Sequence, residues 1–110
     1  MSDEPIADLT LAEVLAAAAE GLDAIAAGEL DRTTLWTTAG LPFASLTGRR
    51  AEFRLDPMVA RAALRTTDTK PSLRGPDWVA FSPAELDDSA VDRAEAWFLS
   101  AHRRAAASLA

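Results

Sequence analysis

The sequence predicts an α+β fold in two layers, with the element order α-β-β-β-α-β-α. A four-stranded, mainly antiparallel sheet is expected, with helices packed on one face. Apolar residues at helical spacing near both ends of the chain predict the helices, and short β-branched or alternating segments between tight turns predict the strands. The 110 residues contain no internal repeat. We therefore expect a single domain over residues 1–110, with a disordered acidic N-terminus at residues 1–9.

The first helix is predicted over residues 11–27. Thr10 and Glu13 have the spacing of a capping box, and Gly28 is suited to the end of a helix. Between them, apolar residues recur with a helical period at Leu11, Val14, Leu15, Ala18, Leu22 and Ile25. A smooth alanine flank, which would suit close helix packing or a homodimer, consists of Ala12, Ala16, Ala19 and Ala26.

Three strands are predicted to follow as a meander joined by short turns. Residues 33–38 are β-branched and aromatic, and residues 43–46 form a second strand after a turn at 40–42. Residues 49–55 alternate between apolar and charged side chains, namely Ala51, Phe53 and Leu55 against Arg50, Glu52 and Arg54. That alternation is typical of a strand with one buried face and one face in water.

A second helix is predicted to begin at Asp56 and Pro57, because aspartate is favoured at the N-cap and proline at the first helical position. Arg61 and Arg65, at i and i+4, are expected to share its solvent face. Residues 66–77 are rich in threonine, proline and glycine, and are predicted to be a loop.

The C-terminal part is predicted to contain one more strand and a long helix. Residues 78–81 form the strand, and residues 82–85 form a second capping box that opens a single turn. The last helix is expected to begin at residues 87–89. Its predicted buried stripe is Val91, Ala94, Phe98, Ala101 and Ala105, with Trp97 at the edge. Four acids, Asp87, Asp88, Asp92 and Glu95, are interpreted as charges favoured near a helix N-terminus rather than as metal ligands.

Several kinds of chemistry find no support in the composition. Cysteine and tyrosine are absent, so there is no disulfide, thiolate metal site or cysteine nucleophile. The single histidine, His102, is interpreted as a solvated residue on the last helix, and no serine has a nucleophile-elbow context. No catalytic residue, metal or cofactor is therefore predicted. The N-terminus lacks an export signal and no apolar run could span a membrane, which predicts a cytoplasmic protein.

The charges are sorted along the chain. Residues 1–31 hold eight acids and no base, whereas residues 49–74 hold seven bases and three acids. A cationic surface in the middle of an acidic chain predicts a binding site for a negative group. Its predicted residues are Arg50, Arg54, Arg65 and Arg74, with Trp36 and Trp78 as flat stacking partners. The alternative is that these arginines pair with the acidic first and last helices.

A further cationic segment, Lys70 to Gly75, has the residue types of a phosphate-binding loop. It lacks the glycine spacing and the strand-loop-helix context that let backbone amides surround a phosphate. An ordinary surface loop is the preferred interpretation.

The pattern from Phe43 to Trp97 resembles the YjbR/MmcQ-like family of small α+β domains. The residues that carry the resemblance are Phe43-Ala-Ser-Leu46, Phe53-Arg-Leu55, Asp56-Pro57 with Ala-Leu-Arg65, Trp78-Val79, and Ala96-Trp-Phe98. It covers about two thirds of the chain and implies an α+β domain with no family-wide catalytic residues. Members are often labelled DNA-binding. A second similarity, through Glu52-Phe-Arg-Leu55 and Trp78-Val-Ala-Phe81, is to the small luciferase-type domain family, whose histidines after the first motif are missing here.

The expected function is binding without catalysis. A protein partner or a small anionic ligand would be held by the arginine-rich surface, and the competing hypothesis is a nucleic acid on the same surface. The net charge of −6 opposes a polyanion, because only a local patch could attract it. The identity of the partner, and the choice between monomer and homodimer, stay open.

Overall fold

The computed structural model describes residues 9–29 and 32–108. Within these ranges lie three helices and six strands: α1 (Leu11–Ala19), β1 (Ile25–Glu29), β2 (Thr33–Thr38), β3 (Leu41–Thr47), β4 (Arg50–Arg54), α2 (Pro57–Ala63), β5 (Thr69–Pro71), β6 (Trp78–Phe81) and α3 (Asp88–Ala107). The strands form one antiparallel sheet in the order β1-β2-β3-β4-β6-β5. The α+β class is confirmed. The predicted four strands and their element order are wrong. The expected disordered N-terminus lies, apart from Leu9, outside the described residues.

The predicted first helix is too long by eight residues, and its last part is a strand. The capping box forms as expected, since Glu13 N–H donates to Thr10 Oγ1 and Thr10 N–H donates to Glu13 Oε1. The helix ends at Ala19, and Gly21 then takes a left-handed φ of +81° that breaks it. β1 follows and pairs with β2. Ala26 therefore lies on a strand, and the predicted alanine flank is not one helix surface.

The edge strand β5 lies inside the segment that was predicted to be a loop, residues 66–77. Three residues containing a proline carry no strand signal of their own, and pairing with β6 decides their conformation. The capping box predicted at residues 82–85 opens no helical turn. Asp68 bonds this segment instead, because its Oδ2 accepts from Ala84 N–H and its backbone oxygen accepts from Ser82 N–H.

A β-bulge brings Phe43 into the core. Trp36 pairs with Ala44 and Thr37 pairs with Pro42, so Phe43 is an extra residue in β3. Its ring packs edge-on against Phe98 at 5.2 Å between centroids, beside the contact of Trp36 with the same ring at 5.4 Å. β3 thus begins at Leu41 with Pro42 inside it, and the turn before it lies at residues 39–40 rather than 40–42.

The three helices contribute their buried side chains to a single core on one face of the sheet. Along α3 the buried residues are Ala90, Ala94, Trp97, Phe98, Ala101 and Ala105. Trp97 is therefore buried, packed edge-on against Phe81 at 5.1 Å, whereas Val91 is only half-buried. No helix in the described part of the chain is both long enough and apolar enough to cross a membrane.

Arg104 connects α3 to the ends of β4 and β6. Its guanidinium donates to the backbone oxygen of Leu55 and to Asp77 Oδ2 at 3.0 Å, and it lies 3.7 Å from Asp56 Oδ1. The Arg104 side chain is largely buried, so water competes little for these charge-assisted hydrogen bonds. Asp56 makes no side-chain cap bond at the start of α2.

Replacing Arg104 with alanine should lower the free energy of unfolding by about 2 kcal/mol, since it leaves a carbonyl and a carboxylate without their donor. Urea unfolding of Arg104→Ala measures this. Arg103→Ala, on the exposed neighbour, is the matched control and should change stability by less than about 0.5 kcal/mol. Equal effects of the two substitutions would contradict the role of Arg104.

Candidate functional site

The face of the sheet opposite the helices carries polar and charged side chains. We call it the open face; it is formed by Thr33, Leu35, Ser45, Thr47, Arg50, Glu52, Arg54, Lys70, Trp78 and Ala80. Alternation along each strand places these residues opposite the core residues beside them. The register puts Ser45, Glu52, Ala80 and Lys70 in one row across β3, β4, β6 and β5.

Glu52 is a buried carboxylate at the centre of the open face, with 7% of its surface exposed. Ser72 Oγ donates to its Oε2 at 2.5 Å. Ser45 Oγ and Arg74 Nε both donate to its Oε1, at 3.1 and 3.2 Å. Arg50 Nε lies 4.0 Å from Oε2, in a half-exposed ion pair. A buried charge is tolerated when hydrogen bonds and an opposite charge replace its water, and Glu52 has both.

These contacts set the protonation state of Glu52. Burial raises the pKa of its carboxyl group, because it disfavours the charged form. Hydrogen bonds from Ser72, Ser45 and Arg74, together with the positive charge of Arg50, act in the opposite direction and outweigh it. The pKa of Glu52 is therefore lower than its ordinary value, and the side chain is a carboxylate at neutral pH.

The turn between β5 and β6 holds two of these donors in place. Ser72 N–H donates to the backbone oxygen of Trp78 at 3.0 Å, and Trp78 N–H returns a bond to Gly75 at 3.2 Å. Arg74 N–H donates to Ser72 Oγ, which fixes the hydroxyl that donates to Glu52. Gly75 is needed for the close approach of Trp78, since a Cβ there would lie 3.1 Å from Trp78 Cδ1. The turn is thus pinned on both sides of Arg74.

A shallow groove of about 630 Å³ lies over Glu52 on the open face. The residues that give it chemistry are Thr33, Thr47, Arg50, Lys70, Ser72 and Arg74. Thr33 Oγ1 and Thr47 Oγ1 are hydrogen-bonded to each other at 2.7 Å and form one wall. Among the described residues that line the groove, three cations against one carboxylate give an excess of two positive charges. An anion would be favoured there over a cation.

The structure brings together only part of the predicted binding surface. Arg50 and Arg74 line the groove, and the Arg74 guanidinium lies 5.5 Å from the centre of the Trp78 ring. Arg54 pairs with Trp78 across β4 and β6, beyond the groove lining. Arg65 lies past the end of α2 and is exposed, outside the groove.

Trp36 does not belong to this surface. It is 4% exposed and packs against Phe98 in the core, because its position in β2 points to the helix side of the sheet. A ligand on the open face therefore cannot stack on Trp36. Trp36 was predicted to lie near the arginines because its strand is close to theirs. Closeness of strands does not specify on which face of the sheet a side chain lies.

The alternative pairs the arginines with acids of the first and last helices, whereas Arg74 donates to Glu52 on a strand. Within residues 9–29 and 32–108, Arg54 and Arg65 have no carboxylate within 4.0 Å. Two further arginines with internal contacts are Arg104, described above, and Arg93. Arg93 lies over the Phe81 ring at 4.8 Å and donates to the backbone oxygen of Thr67.

The sequence reasoning missed Glu52, Ser45 and Ser72. One signal for Ser45 was present, because the tight turn at Gly48, with a φ of +61°, sets the hairpin register that pairs Ser45 with Glu52. Ser72 is twenty residues away from Glu52, and no local pattern relates them. In the Lys70–Gly75 segment, the Ser72 and Arg74 side chains hydrogen-bond to Glu52.

Two other candidates have structural roles. His102 is half-buried rather than fully solvated, with Nε2 3.2 Å from the backbone oxygen of Asp23 and its ring against Phe43. Asp87 caps α3 by accepting from Ala90 N–H at 2.9 Å. The described residues contain no group of three or more side chains that could hold a metal ion.

The chain was compared with protein-family models, with curated proteins and with solved structures, and no match was found in any of them.

Replacing Glu52 with glutamine should lower the free energy of unfolding by about 2 kcal/mol at neutral pH, since the charge-assisted bonds become neutral. Because the pKa of Glu52 is lower in the folded than in the unfolded chain, its contribution is complete above the ordinary pKa. It is lost as the pH falls through the folded-state value. The stability difference between wild type and Glu52→Gln should therefore shrink as the pH falls from about 7 to about 3.

Urea unfolding at a series of pH values measures this difference. Glu95→Gln, on the exposed face of α3, is the control and should track the wild type at every pH. A difference for Glu52→Gln that is constant over the whole range would show that the carboxylate charge is not what the network stabilises.

Proposed function

We propose that the protein is a non-enzymatic small α+β domain, of the YjbR-like type, that binds a small anionic ligand in the groove over Glu52. The observation that carries the proposal is the set of three cations around a buried, ionised carboxylate. Glu52 holds Arg74 by a hydrogen bond, so the groove is arranged before a ligand arrives. Preorganised charges bind more strongly than flexible ones, because less conformational entropy is lost on binding.

The ligand would contact the rim of the groove rather than its base. Arg50 is half-exposed and Lys70 is exposed, so both can approach an anionic group from the two sides of the groove. Thr33 and Thr47 supply hydroxyls that can orient a phosphate or carboxylate. Glu52 lies beneath them and repels an anion that enters too deeply. This arrangement favours a compact ligand with its negative group at the rim.

The size and charge of the groove support a small molecule. About 630 Å³ is within the range of small-ligand sites, although the groove is shallow. Arg54 and Trp78 lie outside the lining, and the proposal does not use them. The family-like residues support only the α+β type, since they imply no catalytic set.

Charge reversal in the groove should weaken anion binding. Pyrophosphate is the probe, followed by amide chemical shifts in the ¹⁵N-labelled protein. Arg50→Glu combined with Lys70→Glu should reduce affinity by at least about tenfold, because both rim cations become repulsive. The wild-type shifts should be largest at residues 33, 47, 50 and 70.

The matched control is Arg61→Glu on α2 combined with Arg65→Glu just past the end of α2. It changes the net charge by the same amount at exposed sites outside the groove, so pyrophosphate affinity should stay within about twofold of wild type. If both double variants lose affinity equally, overall charge explains the binding and the groove is not a site. If wild type shows no shifts with millimolar pyrophosphate, the proposal is wrong.

Duplex DNA is the competing ligand from the sequence. We expect no binding at low salt, because the net charge of −6 repels a polyanion and the groove offers only three cations. Fluorescence anisotropy with a labelled duplex at two salt concentrations measures it. If DNA binding weakens as salt rises and is lost in the Arg50→Glu and Lys70→Glu variant, the groove binds DNA rather than a small ligand.

A further inference from the structure

The outer edge of β1 presents an exposed strand. β1 is the first strand in the sheet order, and no strand in the described part of the chain pairs with its outer side. Ile25 is 63% exposed, and Ala26, Ala27 and Gly28 are exposed as well. Apart from Gly28 and its two chain neighbours, no heavy atom lies within 4 Å of the place where Gly28 would carry a Cβ. Alternate backbone N–H and C=O groups of β1 therefore face outward, available to another strand.

The opposite edge of the sheet is protected against such pairing. β5 has only three residues, and these include Lys70 and Pro71. Since Ser72 N–H bonds inward to Trp78, the residue before it would present its N–H outward. That residue is Pro71, which has no N–H. A short strand with a lysine and an outward proline is a known defence of sheet edges, and β1 has neither residue.

β1 is also held firmly enough to act as a template. All five of its residues pair with β2. The segment that leads into it is fixed by Ala24 N–H, which donates to Leu22, and by the contact of His102 Nε2 with the backbone oxygen of Asp23. An added strand would meet an edge that is already extended, so little conformational entropy would be lost on the protein side.

The charges around β1 decide which strand fits. Glu20 and Asp23 precede it and Glu29 ends it, and the nearest base along the chain is Arg32. Two copies joined β1 to β1 around a two-fold axis would place this acidic segment against itself, and like charges facing each other are unfavourable. A segment with lysine or arginine at its ends would meet opposite charges instead.

We propose that the outer edge of β1 binds an extended, basic segment of a partner protein, which adds a seventh strand to the sheet. The main-chain bonds give the affinity, and the acidic residues around the strand select a basic partner. The small side chains of Ala26, Ala27 and Gly28 let the partner approach without steric hindrance. This site uses the outer main-chain edge of β1, although Glu29 pairs with Thr33 of the groove wall, and it does not depend on a ligand over Glu52.

The test uses a peptide of the required chemistry, acetyl-Lys-Thr-Val-Thr-Val-Thr-Lys-amide, titrated into the ¹⁵N-labelled full chain. The expected amide shifts are centred on residues 24–29. Replacing both lysines of the peptide with glutamate should weaken binding at least about tenfold. Methylating every central backbone nitrogen should abolish it, because the main-chain donors are removed while the charges are kept. If either altered peptide binds as tightly as the original peptide, the proposal is wrong.

A pair of protein variants locates the site. Ala27→Lys puts a positive charge in the middle of the edge and should weaken the peptide at least about tenfold, since a lysine both repels a basic strand and blunts an edge. Ala16→Lys makes the same change at an exposed alanine of α1 and should leave affinity within about twofold. Thermal unfolding of both variants checks that they are folded.

The proposal would also be overturned by no shifts with millimolar peptide, by shifts centred on β5, or by equal binding to the two lysine variants. Light scattering provides a further test. A dimer of the wild type that Ala27→Lys converts to monomer would show that a second copy covers β1, in place of a basic partner.

Discussion

The carboxylate of Glu52 is removed from water in the middle of a sheet, and that constraint organises one whole face of the molecule. An ionised carboxylate loses several kcal/mol of hydration when it is buried, so its position is stable only where donors replace the water. The donors come from Ser45 on the neighbouring strand and from Ser72 and Arg74 in the turn before β6. β3, β4 and the turn between β5 and β6 are therefore tied at one point. Arg74 takes its place in the groove because it is part of this network.

The two faces of the sheet use different physics. On the helix side, aromatic rings from β2, β3 and β6 pack edge-on against Phe98 and Trp97 of α3, and burial of apolar surface stabilises the contact. On the open face, small residues such as Ser45 and Ala80 leave room for one charged group and its partners. This difference keeps the cations of the groove on the open side, away from the core. The bulge at Phe43 adds to the difference between the two faces, since it turns one more aromatic residue to the helix side.

The two edge strands of the sheet, β1 and β5, also differ from each other. β5 is short and contains Pro71, whereas β1 is longer and bordered by acids. Glu20 and Asp23 precede β1 and Glu29 ends it, whereas the cations that line the groove come from β4, β5 and the turn before β6.

Local pattern was enough for the α+β class, the capping box of α1, the alternation of β4 and the start of α3, because each depends on residues within about one turn or one strand. The tight turn at Gly48 even contained the register that pairs Ser45 with Glu52.

Strands β1 and β5 were not predictable in this way. An alanine-rich segment after a helix continues its period, and a three-residue strand has no period, so pairing with β2 and β6 decided both. The burial of Glu52 and the loss of Trp36 to the core were likewise decided by tertiary structure. Alternation states which residues share a face, but only packing decides which face the helices cover and which distant serine reaches a carboxylate.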